Sequence, residues 1–308
     1  MSTSAELTGQ SGSGQSGYEQ GAIHDIGFRH YDGPRLGRGY LRKSLFAESL
    51  RGSYGFGRST RSKIMPILLL AGITLPALII SIVTSAFGAD SLPITYTSYP
   101  FRVQVVIAIF VAAQAPAIMS RDLRYRVISL YFSRPLDRSD YVLAKYVAMV
   151  SALFVLMALP LTILFLGALL AKLPLRDNLP DYLRSLAAAL LYALIIAGIG
   201  LLVAAMTPRR GLGVAAVISV LLILSGVQLA VVSIATEFDS NRLAGYSGLL
   251  SPFSLVDGVV TRLFGAESSL PAAPPGTLGM TLFIAVYVVV VVGCYAGLLI
   301  RYRRVSGA

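Results

Sequence analysis

The sequence predicts an all-α, polytopic membrane protein. It should have six transmembrane helices, an amphipathic N-terminal interfacial helix, a helical second cytoplasmic loop and a re-entrant external segment. Three observations predict this. Only 13% of the 308 residues are charged, and AVILMFWYC residues make up 55%, whereas a soluble domain carries roughly a quarter charged residues. Mean hydropathy is +0.72. Six apolar runs reach the length that a bilayer demands, about 20 residues each. The composition excludes a disordered chain and, with one Cys, a disulfide scaffold; it leaves little room for a soluble enzyme. The formal charge of +11 reads as anchoring on the cytoplasmic side rather than nucleic-acid binding.

Residues 1–35 read as a flexible cytoplasmic tail, opening with the low-complexity run SGSGQSG. No signal peptide is expected, because the first apolar run starts only at Ile64. His24, Asp25, His30 and Asp32 cluster in the tail, but their spacing matches no common zinc pattern. Residues 36–63 form the interfacial, or elbow, region. Leu41, Leu45 and Phe46 can share a helical face there, with Arg42, Lys43 and Arg51 elsewhere. Gly37–Ser44 approaches a phosphate-binding loop until Arg42, which stands where the second Gly is needed for backbone to cradle phosphate. If ATP drives this protein, another chain binds it.

Residues 64–308 form the six-helix membrane domain. The expected spans are Ile64–Phe87, Phe101–Met119, Val142–Leu170, Leu186–Met206, Leu212–Thr236 and Thr281–Ile300, the third divided by Pro160. Nineteen Lys and Arg residues fall before the first span, after the second and fourth, and after the sixth. Five fall on the opposite side: Lys172, Arg176, Arg184, Arg242 and Arg262. This asymmetry places both termini in the cytoplasm.

The loop Ser120–Tyr141 carries Leu123, Val127 and Leu130 at i, i+4 and i+7, with Arg124 and Arg126 off that stripe. This is a short amphipathic helix, stopped by Pro135. Asp137 then stands as an N-cap with Asp140 three residues on. In the last external loop, the run Gly248–Gly265 is apolar but too short to cross. It is a candidate re-entrant or interfacial helix pair, entered at Ser251-Pro252, with Asp257 in a protected but hydrated site.

Within the spans, ionisable residues are nearly absent. Gln104, Gln114 and Gln228 are the main polar groups. They either face a substrate path or bond across helices; the sequence leaves both open. Gly293 and Gly297 form a GxxxG, a packing signal. No GxSxG, no HExxH and no intramembrane carboxylate cluster occurs, so no catalytic residue, cofactor site or metal site is expected.

Six spans with both ends inside, a helical second loop and a long last external loop resemble the permease subunits of export-type (type-2) ATP-binding-cassette transporters. That family's second loop has an acidic residue, a short apolar helix, a Pro turn, then an Arg and a Lys entering the next span. Asp122, Val127–Phe132, Ser133-Arg134-Pro135, Arg138 and Lys145 stand in those places. The run SPFSLVDGV is similar to the family's external segment. One departure is Arg124-Tyr125-Arg126, where the family often has Glu-Arg-x-x-Gly. The N-terminal segment resembles an actinobacterial subset, and 22 Arg against 4 Lys agrees with a GC-rich bacterial genome.

The resemblance implies a cell-membrane permease that pairs with a second copy or a paralogue to form a pathway for ATP-driven export. Separate ABC ATPase subunits would bind the ATP. The second-loop helix would be the coupling helix, contacting the ATPase through Asp122, Leu123, Val127, Leu130, Tyr131, Phe132 and Arg134. Gln104, Gln114, Gln228 and Asp257 are the candidate pathway residues. The competing readings are a non-transporting membrane scaffold, an intramembrane enzyme and a secondary carrier, which would need charged or broken helices in matching halves.

Overall fold

The computed structural model describes residues 36–57, 59–88, 91–119, 136–207 and 209–305. The 120–135 loop and the His/Asp segment of the tail lie outside the described residues. Every element among them is helical. In chain order these are α1 (Arg38–Ser53), α2 (Thr60–Phe87), a 3-10 turn (Tyr96–Ser98), α3 (Tyr99–Arg102), α4 (Gln104–Ile118), α5 (Arg138–Leu170), α6 (Leu175–Met206), α7 (Arg210–Glu237), α8 (Asn241–Ser247), a second 3-10 turn (Gly248–Leu250), α9 (Pro252–Phe264) and α10 (Gly276–Val305).

Five helices are long and apolar enough to cross a bilayer in one piece: Thr60–Phe87, Arg138–Leu170, Leu175–Met206, Gly211–Glu237 and Gly276–Arg304. In place of the second expected span stands a bent pair of short helices. Tyr96–Arg102 and Gln104–Ile118 meet at 59°, because Val103 leaves helical geometry at φ −100, ψ 17. Conversely, Pro160 does not divide the third span. Helix α5 runs unbroken for 33 residues with Pro160 inside it, since only the one hydrogen bond that proline cannot donate is lost.

Helix α6 is the hub, packing against α4, α5, α7, α9 and α10. Its buried positions include Ala188, Ala189, Ala193, Ala197, Gly198, Gly200, Ala204 and Ala205. Small residues let five neighbours approach one backbone. Two flanking tyrosines then donate to α6 carbonyls. Tyr146 Oη reaches Leu194 O at 2.8 Å and Tyr287 Oη reaches Leu191 O at 3.0 Å.

The outer helices bury one stripe and leave the rest apolar and exposed, as lipid-facing helices should. On α2 the buried line is Pro66, Leu69, Ile73, Ala77, Ser81 and Thr84, spaced three and four apart. It faces α5, and the closest approach is at Gly167. A Cβ there would sit 2.3 Å from the Ser81 side chain, so only glycine fits. Ser81 Oγ bonds Ala77 O at 2.9 Å and Ile163 O at 3.2 Å, which satisfies a hydroxyl that lipid could not.

The segment between α7 and α10 folds back on itself. Asn241–Leu250 and Pro252–Phe264 are bent by 120° about Ser251, and neither arm is long enough to cross. Ser225 Oγ of α7 lies 3.2 Å from Ser251 Oγ at the bend. Residues 251–260 are all buried, because α9 is inserted among α3, α6, α7 and α10.

Candidate functional site

The candidate coupling residues Asp122, Leu123, Val127, Leu130, Tyr131, Phe132 and Arg134 lie outside the described residues. What the structure describes is the frame from which that loop departs and to which it returns. The departing end is the last turn of α4. Its final carbonyls have no intrahelical donor and form the negative end of the helix dipole. Lys145 of α5 supplies the cation: Nζ donates to Ile118 O at 2.6 Å. The Lys145 side chain is buried at 4% exposure, and Nζ lies 4.8 Å from the centroid of the Tyr141 ring. A buried ammonium is tolerated only with such compensation.

One residue on, Met119 is held from the other side. Tyr302 Oη of α10 lies 3.1 Å from Met119 Sδ, and the Tyr302 ring packs on Tyr141 with centroids 5.3 Å apart. The C-terminal end of the last span is thus wedged beneath the departing end of the loop.

The returning end is the first turn of α5. Asp137 occupies the N-cap position in extended geometry, but its carboxylate makes no capping bond. It accepts from Arg38 Nη2 of α1 instead, while Arg38 Nε donates to Asp140. Arg42 Nη1 lies 3.5 Å from the other Asp140 oxygen. The bond to Asp140, and then the field of Asp137, hold the Arg38 guanidinium above its ordinary value, so it stays charged at any working pH. Asp140 itself is buried at 5%.

Helix α1 is tied at its far end too: Tyr54 Oη donates to Ala152 O at 2.7 Å. Between Asp140 and Ala152 lie about three turns of α5. Helix α1 therefore runs alongside those turns, with Leu45 buried against them and Leu41, Phe46 and Leu50 half-buried.

The candidate pathway residues separate into two groups. Gln114 on α4 and Gln228 on α7 are buried at 6% and 7%, on helices that pack together. Neither makes a side-chain hydrogen bond among the described residues. Gln104 is half-buried just after the break at Val103. Asp257 stands apart in α9. It is buried at 3%, and its Oδ2 accepts from Ser268 Oγ at 3.1 Å and Ser269 N at 3.0 Å. Arg262 does not pair with it. That guanidinium donates to Pro274 O, with Nε at 2.8 Å, and so closes the link into α10.

The sequence did not reveal a cavity of about 550 Å³ among Ser91, Tyr96, Asp177, Asp181, Arg184 and Glu267. These residues come from the segment before α3, the first turns of α6 and the link after α9. Arg184 Nη1 pairs with Asp181 at 2.9 Å, and Tyr96 Oη bonds Asn178 at 3.0 Å. The α1–α5 ties were missed as well. Their signal is the i, i+4 spacing of Arg38 and Arg42 against the i, i+3 spacing of Asp137 and Asp140. Each pair presents one helical face.

Compared with known proteins, residues 59–305 match a family model described as ABC-2 family transporter protein. No curated protein matches the chain.

Proposed function

The chain belongs to the ABC-2 family of transporter proteins, and from that premise we propose that it is the permease subunit of an exporter whose ATP is bound and hydrolysed by a separate chain. Two permeases, identical or paralogous, would enclose the pathway between them in the cell membrane. Both termini would face the cytoplasm, as the distribution of Lys and Arg indicates. The 120–135 loop would dock on the ATPase through Leu130, Tyr131 and Phe132, since large apolar and aromatic groups dominate such contacts. Asp122 and Arg134 would orient it.

One observation carries this reading. Both ends of the loop are fastened to the bundle by buried or multiply held contacts: Lys145 to Ile118, Tyr302 to Met119 and Arg38 to Asp137 and Asp140. A loop that serves only as a connector needs no such frame. A loop that receives force does, because displacement must pass into α4 and α5 rather than dissipate at their ends. Gln114 and Gln228, buried and without side-chain hydrogen bonds among the described residues, support a polar path near the α4–α7 contact.

The test is the triple substitution Leu130→Ser, Tyr131→Ser and Phe132→Ser. Membrane insertion should be intact, ATPase co-purification weakened and export lost. Retention of the ATPase at wild-type yield together with undiminished export removes the coupling role. Transport by the chain alone in liposomes, with no ATPase present, removes the permease reading.

A further inference from the structure

We propose that the outward face of α1 binds the headgroup of an anionic phospholipid. The helix divides its cations between two sides. Arg38 and Arg42 turn toward α5 and are paired there. Lys43 and Arg51 lie within about a quarter-turn of one another on the opposite side. Both are exposed, and neither has an ion-pair partner among the described residues.

Lys43 and Arg51 share a concavity of about 710 Å³ with Tyr40, Glu48 and Phe56. Tyr40 is 54% exposed and Phe56 57%. The concavity sits at the foot of a span, since α1 ends at Ser53 and α2 begins at Thr60. An exposed tyrosine such as Tyr40 settles at headgroup level at such a boundary, and unpaired cations there attract anionic lipid. A zwitterionic headgroup carries its own ammonium and partly cancels the attraction, so the face should discriminate by net lipid charge. Glu48 opposes binding and gives the site a sign-reversed control. The inference does not depend on ATPase coupling, and its main measurement needs no partner.

Full-length chain in mild detergent is loaded with phosphatidylglycerol or phosphatidylcholine, and retained lipid is counted by native mass spectrometry. The wild-type chain should retain phosphatidylglycerol in preference. Lys43→Gln and Arg51→Gln should each lower that preference roughly fivefold. Glu48→Gln should raise it, which mere loss of folding cannot do, and Arg242→Gln on α8 should leave it unchanged. Equal retention of the two lipids overturns the proposal, as does wild-type preference in the double variant Lys43→Gln with Arg51→Gln. Displacement of the lipid by inorganic phosphate alone would make this a soluble-anion site and also overturns it. So does a double variant that keeps its lipid but no longer co-purifies with the ATPase, which would assign the face to a protein partner.

Discussion

Lys145 Nζ, on the second turn of α5, donates to the carbonyl oxygen of Ile118 at the end of α4 across 2.6 Å. The contact joins two helices that are separated in sequence by the whole second loop. It also places the positive charge of one helix on the negative end of another.

Lys145→Met keeps the apolar stem and removes the ammonium. A charged hydrogen bond of this kind contributes about 1.5–3 kcal/mol. Thermal unfolding in detergent should therefore shift down by several degrees, and transport should fall further than the stability loss explains. An unshifted melting curve would show that the tie between α4 and α5 is dispensable.

Arg38→Asp and Asp140→Arg should each release α1 from α5, and the combined swap should restore the contact. Hydrogen exchange of residues 38–53 reads this directly: faster in each single variant, slower again in the double. The Arg38 pKa is raised, so its contribution is complete below the unfolded value and is lost only as pH rises through the higher folded one. Both lie above the working range, and exchange protection should not change on the arginine's account between mildly acidic and mildly alkaline buffer.

Gly258 lies against Phe283, with a notional Cβ only 2.4 Å from the ring. Gly258→Ala should cost about 1–3 kcal/mol by overpacking, and adding Phe283→Leu should return part of it. Melting temperatures of the single and double variants test the coupling. Equal losses in both would place the cost elsewhere.

Asp257→Asn can keep accepting from Ser269 N and Ser268 Oγ, whereas Asp257→Ala leaves a half-buried backbone donor without its partner, at about 1–3 kcal/mol. Limited proteolysis between residues 265 and 276 should accelerate in the alanine variant and stay near wild type in the asparagine one. Loss of transport in the asparagine variant without faster proteolysis would assign the charge itself a role in the pathway.

Topology can be read with single cysteines in a Cys294→Ala background. Ser91 and Glu267 are exposed and should label from outside intact cells once changed to Cys. Arg304→Cys should label only after permeabilisation. Ser98 is a poor reporter because it is 5% exposed. Outside labelling of the Arg304 position would invert the orientation.

Much of this molecule was legible because hydropathy and charge act locally. The runs starting at Ile64, Val142, Leu186, Leu212 and Thr281 each became a helix. Ser251-Pro252, read as the entry to the apolar segment, is where α9 starts and also where the chain bends by 120°, since a residue before proline avoids helical geometry. Other features depended on partners far along the chain. Asp137 stands where a cap was expected, yet Arg38, 99 positions away, takes its carboxylate. The break at Val103 carries no glycine and no proline of its own. Of the GxxxG pair, Gly297 packs on Leu202, with a notional Cβ 3.1 Å from its Cδ1, while Gly293 has open space around it. The motif signals close approach but not which glycine makes it. Among the site residues, the loop signature pointed to Lys145, but not to the carbonyl it holds.

At the Gly167–Ser81 crossing the α5 backbone lies hard against α2, and any tilt of α5 can be measured from that point. From Gly167 back to Lys145 is about 33 Å along the helix axis at 1.5 Å per residue, with no break between them. A tilt of about 10° around that crossing would carry the Lys145 end sideways by about 6 Å, roughly one helical turn. By the length of the rod alone, a small change of angle where the two backbones touch corresponds to a large displacement at the far end.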